Sequence, residues 1–358
     1  MTNNSIYGFD FSHVERPNSR IKDTHKGYFQ YGVKNDYPQV LLDFYNDCSL
    51  LSSLINNIGY YVYGNGFDTD MDGVCNRKGE TFYDIVTKAT IDYMIYGAFA
   101  IQTLQNAMGE IVETYWVDAR FIRISEDEEK VVYCKDWLKP KDKKEFPLNN
   151  PKAPNTIWYF KNKTSRDVYG SPIYNSAIPS IQTLIEIGKF NLNIVGNKFL
   201  PTTMISFCSG EPSEEDKIRI ENAIRDKFQG SEANLVMLNF CESTDNAPII
   251  SSIQDDNYSD KYNALNESCQ KDIYTAFRVS PMLMGVDYQS SGFNNVEWQS
   301  AFSLYQKTFI RPLQTEIERH FATVKDRNNN KPFVFHFNEF DTKEVFQNND
   351  LIATAPIQ

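Results

Sequence analysis

Asp68-Thr69-Asp70-Met71-Asp72-Gly73 sets three carboxylates at alternate positions ahead of a glycine, which is how a calcium-binding loop opens. Such a loop closes on a bidentate glutamate at its twelfth position. Here that position is Gly79, and Glu80 falls one residue late, so the stretch is expected to be an acidic surface turn. Glu214-Glu215-Asp216 and Asp255-Asp256 also cluster carboxylates. Acids that precede an apolar helical stripe complement the positive end of the helix dipole, and these are expected to be solvated helix starts. No metal site is predicted.

Chemistry based on histidine or a nucleophile finds little support. The histidines are His13, His25, His320 and His336, and none belongs to an HExxH motif. Neither GxSxG nor the phosphate-cradling GxxxxGK[ST] occurs. His320 closes a helical pattern, where its charge would suit the dipole. Cys48, Cys75, Cys134, Cys208, Cys241 and Cys269 stand far apart without a CxxC pair, the usage of free thiols in a reducing cytoplasm. The expectation is therefore a protein with no catalytic residues, no cofactor and no metal.

The 358 residues suffice for two or three compact units, and 41% hydrophobic content is enough to bury a core. Twenty-five Phe and 21 Tyr suit cores and subunit interfaces equally. A net charge of −11 excludes a general nucleic-acid binder with a basic face. No run approaches the ~18 apolar residues of a membrane span, and the N-terminal residues lack the apolar stretch of a signal peptide.

The periodicity predicts a mixed α+β chain. Residues 1–30 are polar and form an arm. After the turn at Asn35-Asp36-Tyr37-Pro38, the residues Val40, Leu41, Phe44, Leu51, Leu54, Ile55 and Ile58 follow helical spacing. Tyr60-Tyr61-Val62-Tyr63 has the composition of a strand. A helix is predicted over 81–96, then strands over 98–104, 111–116, 121–125 and 131–133, with Asn106-Ala107-Met108-Gly109 as a hairpin turn. The Lys-, Asp- and Pro-rich stretch 135–155 is a predicted surface loop, and 157–161 a strand. Ser171-Pro172 predicts a helix start, with Pro179 either kinking that helix or moving its start. Strand patterns at 203–207, 235–240 and 248–253 enclose a helix pattern that ends at Gly230.

Two further helices are the most informative. Tyr262, Leu265, Cys269, Ile273 and Phe277 share one stripe, and Trp298, Phe302, Tyr305, Phe309, Leu313, Ile317 and Phe321 share another. Between them lie the turn Ser280-Pro281-Met282-Leu283-Met284-Gly285 and a polar tip from Asp287 to Asn295. Pro312 sits inside the second pattern, where its ring opposes the carbonyl of Thr308, so a bend is predicted there. Phe333–Phe337 is the last predicted strand.

This order of features resembles the portal proteins of tailed bacteriophages, from about Tyr31 to Asp341. The local matches are Tyr31-Gly32-Val33-Lys34-Asn35-Asp36-Tyr37-Pro38, Tyr63-Gly64-Asn65-Gly66-Phe67, Tyr169-Gly170-Ser171-Pro172-Ile173, Asn197-Lys198-Phe199-Leu200-Pro201, Lys227-Phe228-Gln229-Gly230 and Phe277-Arg278-Val279-Ser280-Pro281. None is specific alone; their order and spacing together are. The resemblance implies an α+β portal fold with a mixed α/β wing, a helical stem, a small α+β clip and a long kinked tunnel helix. It divides the chain into an arm (1–30), the first part of the wing (31–168), a first stem helix (169–199), the clip (200–257), a second stem helix (258–280), a tunnel loop (281–296), the long tunnel helix with the return to the wing (297–341), and a tail (342–358). A crown is expected to be short, absent or missing from this chain.

The resemblance also implies a role. The chain would form a ring, in the family's usual form of twelve subunits, at one vertex of a virion capsid, assembled in the cytoplasm of a bacterial host. DNA would pass through it during packaging and ejection. Its partners would be other copies of itself, the major capsid protein, the terminase large subunit, head-completion or adaptor proteins and duplex DNA held weakly, with no membrane. The tunnel loop would bring Asp287, Tyr288, Gln289, Ser290, Ser291, Gly292, Phe293, Asn294 and Asn295 towards DNA. Glu214, Glu215, Lys217 and Arg225 of the clip would meet the terminase, and Pro312 would set the helix kink. The acidic balance fits a conduit, because tight phosphate contacts would trap DNA that has to slide. A second reading from the same residues is a capsid-associated adaptor or binding module without a DNA channel.

Overall fold

The computed structural model describes residues 27–196, 203–207, 219, 236–240, 258–286 and 295–339. The chain divides into two units, Met1–Ile181 with Lys271–Gln358, and Gln182–Gln270.

In the first unit, the periodic stretch after Asp36 forms two helices, α1 (Tyr37–Asp47) and α2 (Ser49–Tyr63), separated by the extended backbone of Cys48. α2 takes in Tyr60-Tyr61-Val62-Tyr63, which its composition had suggested as a strand. Ile58, Val62 and Tyr63 extend the buried stripe of Leu51, Leu54 and Ile55, while Tyr60 is 63% exposed. Spacing along one helix face overrides the β propensity of the individual residues.

α3 (Phe82–Tyr96) starts with a capping box between Thr81 and Asp84 and stops at Gly97, which takes the left-handed conformation at φ 70°. A side chain at Gly97 would run into the backbone of Ser171, and one at Gly170 into the backbone of Gly97. These two glycines let the chain leaving α3 meet the segment at Gly170-Ser171. β1 (Ala98–Gln105) is the centre of an antiparallel sheet between β2 (Ile111–Val117) and β6 (Asn155–Lys161), with Ile101 opposite both Trp116 and Trp158. Ile85, Val86 and Ala89 of α3 are fully buried, as are Phe99 and Ile101 of β1.

The second sheet comprises β3 (Ile122–Ile124), β4 (Lys130–Tyr133) and β5 (Lys144–Pro147). β5 corrects the expectation of an unbroken loop over 135–155: Val131 pairs with Phe146 and Tyr133 with Lys144. Residues 27–29 line the outer edge of β3, with Phe29 N–H donating to Ile124 O at 2.9 Å. The strand expected from Phe121 begins instead with a 3-10 turn at Ala119–Phe121.

Arg123 lies between these pieces at 1% exposure. Its Nε donates to Asn35 Oδ1 (2.6 Å), its Nη2 to Asn35 O (2.7 Å), and its Nη1 to Arg120 O and Ile122 O (2.9 and 2.7 Å). The guanidinium stands 4.7 Å from the Trp137 ring centroid and 5.8 Å from that of Tyr31. Tyr31 stacks on Tyr169 at 4.1 Å and donates to Gly170 O. Among the described residues no carboxylate pairs with Arg123. Burial therefore works against its charge, and carbonyl oxygens and aromatic faces offset that cost.

The helix expected at Ser171-Pro172 begins later. A 3-10 turn at Asn175–Ala177 leads into α4 (Ile178–Gly196), with Pro179 as its second residue, where a missing N–H breaks no helical bond. The last predicted strand, Phe333–Phe337, is extended but bridges only at Phe67↔Phe337. Its backbone N–H groups go to side chains instead: His336 N donates to Asp68 Oδ1 (2.8 Å) and Phe337 N to Glu318 Oε1 (3.0 Å). Alternation still holds, with Phe333, Phe335 and Phe337 buried and Val334 54% exposed. Asp68 and Asp70 of the acidic turn accept backbone N–H groups, from His336 and Asp72 respectively.

The second unit contains the rest of α4, a parallel pair of β7 (Thr203–Phe207) with β8 (Val236–Phe240), and the first part of α5 (Tyr258–Ala276). A parallel pair requires a crossover of a dozen or more residues. The predicted helix and third strand of this region lie outside the described residues. Tyr262 Oη donates to Asn191 Oδ1 across the two helices at 2.7 Å. Leu192 and Leu265, expected in the apolar stripes, are 71% and 48% exposed. Cys48, Cys75, Cys134 and Cys269 are free thiols, and no described helix is long and apolar enough to cross a membrane.

Arg123→Met keeps the bulk but takes the guanidinium donors from three backbone carbonyls and leaves Asn35 Oδ1 with only Tyr31 N–H, which costs about 3 kcal/mol. Thermal unfolding followed by circular dichroism should show a melting temperature lower by roughly 6–12 °C. A fall of less than ~2 °C would contradict this account of the hub.

Candidate functional site

The turn that follows α5 is closed twice by the same device. Arg278 adopts φ 53°, unusual for a residue other than glycine. Its N–H donates to Thr275 O, and Val279 N–H reaches back to Tyr274 O at 3.1 Å, which is a Schellman closure of the helix. Ser280 then starts a 3-10 turn at Pro281–Met284, and Gly285 repeats the closure at φ 72°: its N–H donates to Met282 O, and Val286 N–H to Pro281 O. The chain thus leaves the turn in a fixed direction.

The core grips this turn from three sides. Phe277 is fully buried and stacks on Tyr174. From α2, Tyr61 Oη donates to Leu283 O at 3.0 Å and Asn57 Nδ2 lies 2.8 Å from Met284 Sδ. Tyr61 also meets Phe302 edge-on at 5.4 Å, and Phe302 stacks on Trp298. Phe302 and Trp298 belong to α6 (Asn295–Tyr305), the helix on the far side of the tip. Both chain ends flanking 287–294 therefore rest on one helix, α2.

α6 does not run directly into α7 (Arg311–Ala322). A π segment, Gln306–Ile310, intervenes, and Arg311 N–H donates to Gln306 O, five residues back. Pro312 is the second residue of α7, directly beyond this wide turn. Inserted π turns occur often at functional positions. The amide of Gln306 is buried there, and neither its Nε2 nor its Oε1 has a partner among the described residues.

Beyond the π segment, α7 is locked by a polar face. Gln314 Nε2 donates to Val62 O at 2.8 Å, capping the end of α2. Glu318, 7% exposed, accepts from Phe337 N, lies 3.2 Å from Arg311 Nη1 and 3.1 Å from His336 Nδ1. Sequence reasoning missed these groups, although Arg311, Gln314 and Glu318 at intervals of three and four residues were a visible polar stripe.

His320 differs from its expected role. Its ring packs among Phe160, Phe99 and Tyr93 at 5.1–6.1 Å, and its Nε2 is buried without a hydrogen bond, 4.0 Å from Glu316 Oε1. Burial lowers its pKa from the ordinary value, outweighing the attraction of Glu316. The residue is a neutral core histidine rather than a charge on the dipole.

Asp287, Tyr288, Gln289, Ser290, Ser291, Gly292, Phe293 and Asn294 lie outside the described residues, as do Glu214, Glu215, Lys217 and Arg225. Asn295 is the first residue of α6. The described part of the site is thus its frame, with the turn on one side and the interrupted helix on the other.

Comparison with known proteins places this frame in context. The family model described as phage portal protein matches residues 76–355. No curated protein matches the chain significantly by sequence. Among solved structures, a chain in the virion of a native gene transfer agent particle is similar, with TM-score 0.56 and 13% identity, covering 88% of each chain. A chain in the neck of that native particle, computed with C12 symmetry, gives 0.55 and 13%, covering 89% of this chain and 90% of that one. An HK97-family phage portal protein from Corynebacterium diphtheriae gives 0.50 and 12%, covering 88% and 98%.

Gln306→Met removes the unpartnered amide at equal length and should stabilise the protein by about 1–2 kcal/mol, read as a melting temperature a few degrees higher; a lower value would mean that the amide has a partner. For His320, the unfolded chain takes up a proton near its ordinary pKa of about 6.5, and the folded chain only at lower pH. The unfolded state then binds more protons between these two values, so stability falls as pH drops through that window. His320→Phe should therefore lose less melting temperature than the wild type between about pH 7.5 and 5.5, and equal slopes would contradict the neutral assignment.

Proposed function

The chain belongs to the phage portal protein family, and from that premise we propose that it assembles as a closed ring at one capsid vertex and conducts DNA there. The observation that carries the proposal is the family match over residues 76–355, supported by a fold shared with a neck chain from a particle computed with C12 symmetry. A ring of twelve is the number this favours. Closure requires a heterologous interface in which each copy presents one surface and receives another.

In this reading residues 31–168 build the first part of the wing, 169–199 and 258–280 the stem, 200–257 the clip where a terminase motor and later head-completion proteins dock, and 297–341 the long tunnel helix with the return to the wing. Residues 281–296 form the tunnel loop. α2, through Tyr61 and Asn57, and the Trp298–Phe302 stack hold the two sides of that loop. The π segment and Pro312 mark the point where the long helix flexes or bends as DNA passes. The protein does its work without catalysis: energy comes from the motor, and the portal supplies geometry.

Charge sets the mode of DNA contact. Each copy brings a net charge of −11, and a wall of that sign repels phosphates and keeps the duplex centred. Grip would require lysines and arginines against the backbone and would depend steeply on salt.

Deletion of 287–294 should leave ring assembly intact and abolish DNA packaging in a reconstituted or in vivo packaging assay; normal packaging would overturn the tunnel-loop role. The purified wild-type ring should bind duplex DNA only weakly at physiological salt. Submicromolar affinity in a fluorescence titration would overturn the conduit account.

A further inference from the structure

Strand β4 runs from an acidic end to a basic end. At its start the exposed turn Glu126-Asp127-Glu128-Glu129 is fixed by Glu128 N–H donating to Ser125 O (2.9 Å) and Glu126 N–H to Gly27 O (3.2 Å). Beside that turn opens a cleft of about 780 Å³. Glu128, Glu129 and Glu145 contribute carboxylates to it, and Phe146, Pro147 and Leu148 contribute apolar surface. One lysine lines it too: Lys130, already paired with Glu145 at 3.0 Å.

Past the other end of β4, the loop to β5 carries Lys135, Lys139, Lys141 and Lys143, all exposed. Lys135, Lys139 and Lys141 make no ion pair with any described residue. Among them Leu138 is 73% exposed. The loop that presents it is tied down by local contacts. Trp137 is buried against Tyr28 and Arg123, Cys134 Sγ donates to Asp136 O and Lys141 O (3.2 and 3.3 Å), and Asp136 Oδ1 accepts from Leu138 N and Lys139 N (2.9 and 3.2 Å). An exposed leucine in a loop of four exposed lysines and two exposed aspartates, Asp136 and Asp142, thus stands at one end of the sheet. An open cleft of mixed lining, with Phe146, Pro147 and Leu148 beside the carboxylates of Glu128, Glu129 and Glu145, stands at the other.

The loop leaves the Tyr133 end of β4 and the Glu128–Glu129 turn enters at its Lys130 end, about 10 Å away. A knob and a complementary pocket on different faces of one molecule pair head to tail with another copy, and such a contact repeats around a ring. We propose that the Leu138 loop of each copy docks into the Glu128–Glu129 cleft of the next copy, with Leu138 on the apolar surface and Lys139 and Lys141 against the carboxylates. The inference rests on the ring reading above and specifies one contact that closes it. Opposite charge at the rim would orient the encounter, and the leucine would hold it.

The test uses two full-length variants, K139E/K141E and E128K/E129K, both altered only at exposed side chains. Sedimentation velocity follows assembly, and circular dichroism confirms that each folds as the wild type does. Each variant alone should fail to form rings, since its knob and cleft then carry like charge. Mixed in equal amounts they should assemble, because every knob then faces a cleft of opposite charge. Wild-type rings together with rings from either variant alone would overturn this contact and leave the ring reading standing. A folded wild-type chain that stays monomeric at every concentration would overturn both. Leu138→Ser provides a second arm: ring formation should shift to at least ten-fold higher protein concentration, and an unchanged assembly curve would count against the knob.

Discussion

A guanidinium buried with no carboxylate partner among the described residues is the constraint on which much of this structure depends. Arg123 must find its compensation in neutral groups, so the chain is arranged around it. Asn35 supplies both its side-chain and main-chain oxygen, and adopts φ 60° to do so. Residues 28–35 are thereby fixed against β3, and Tyr31 carries the order onward to Tyr169 and Gly170. Gly170 meets Gly97 at the end of α3, so the entry to α4 is aligned with the central sheet. Trp137 covers the cation from the other side and holds the loop that presents Leu138. One buried charge thus links the first sheet, the second sheet, the N-terminal segment and the loop at the far end of β4.

The frame on either side of residues 287–294, the proposed tunnel loop, follows a different physical logic. Its irregular features are concentrated in a few residues: positive φ at Arg278, an inserted π turn, and an unpartnered amide at Gln306. Each is unfavourable by itself, and their neighbours are strongly held. Phe277, Leu283, Gln314 and Glu318 anchor the flanks to the core. Departures from local rules grouped at one place, with tight packing on either side, are the pattern expected where function rather than stability selects the conformation. Under the proposed role, a loop that meets passing DNA would need such a base, firm at its roots and interrupted within the long helix.

The sequence made long apolar periodicities legible and left polar specificity obscure. α3, the hairpin of β1 and β2, and the two helices around the Pro281–Met284 turn all follow from spacing and turn residues. Tyr60–Tyr63 misled because three tyrosines and a valine favour strands locally, while the stripe from Leu51 to Val62 favours a helix over a longer span. Phe333–Phe337 alternates as a strand should, yet its donors meet Asp68 and Glu318, and no pattern in the segment reveals distant acceptors. β5 was hidden inside a lysine-rich stretch because pairing with β4 and the bond from Thr156 Oγ1 to Pro147 O, not its own apolar content, hold it. The candidate site was located by the order of its parts, whereas its supports, Asn57, Tyr61, Gln314 and Glu318, are isolated polar residues whose partners lie far along the chain. The same holds for His320, which looked like a helix-end charge until its aromatic surroundings were seen.

The central claim is that copies of this chain close into a ring around a DNA-sized opening. Electron microscopy of the purified full-length protein tests it most directly. The account predicts closed rings, near twelve subunits, with a central hole wide enough for duplex DNA. Monomers or closed dimers under conditions where the chain is folded and concentrated would contradict it.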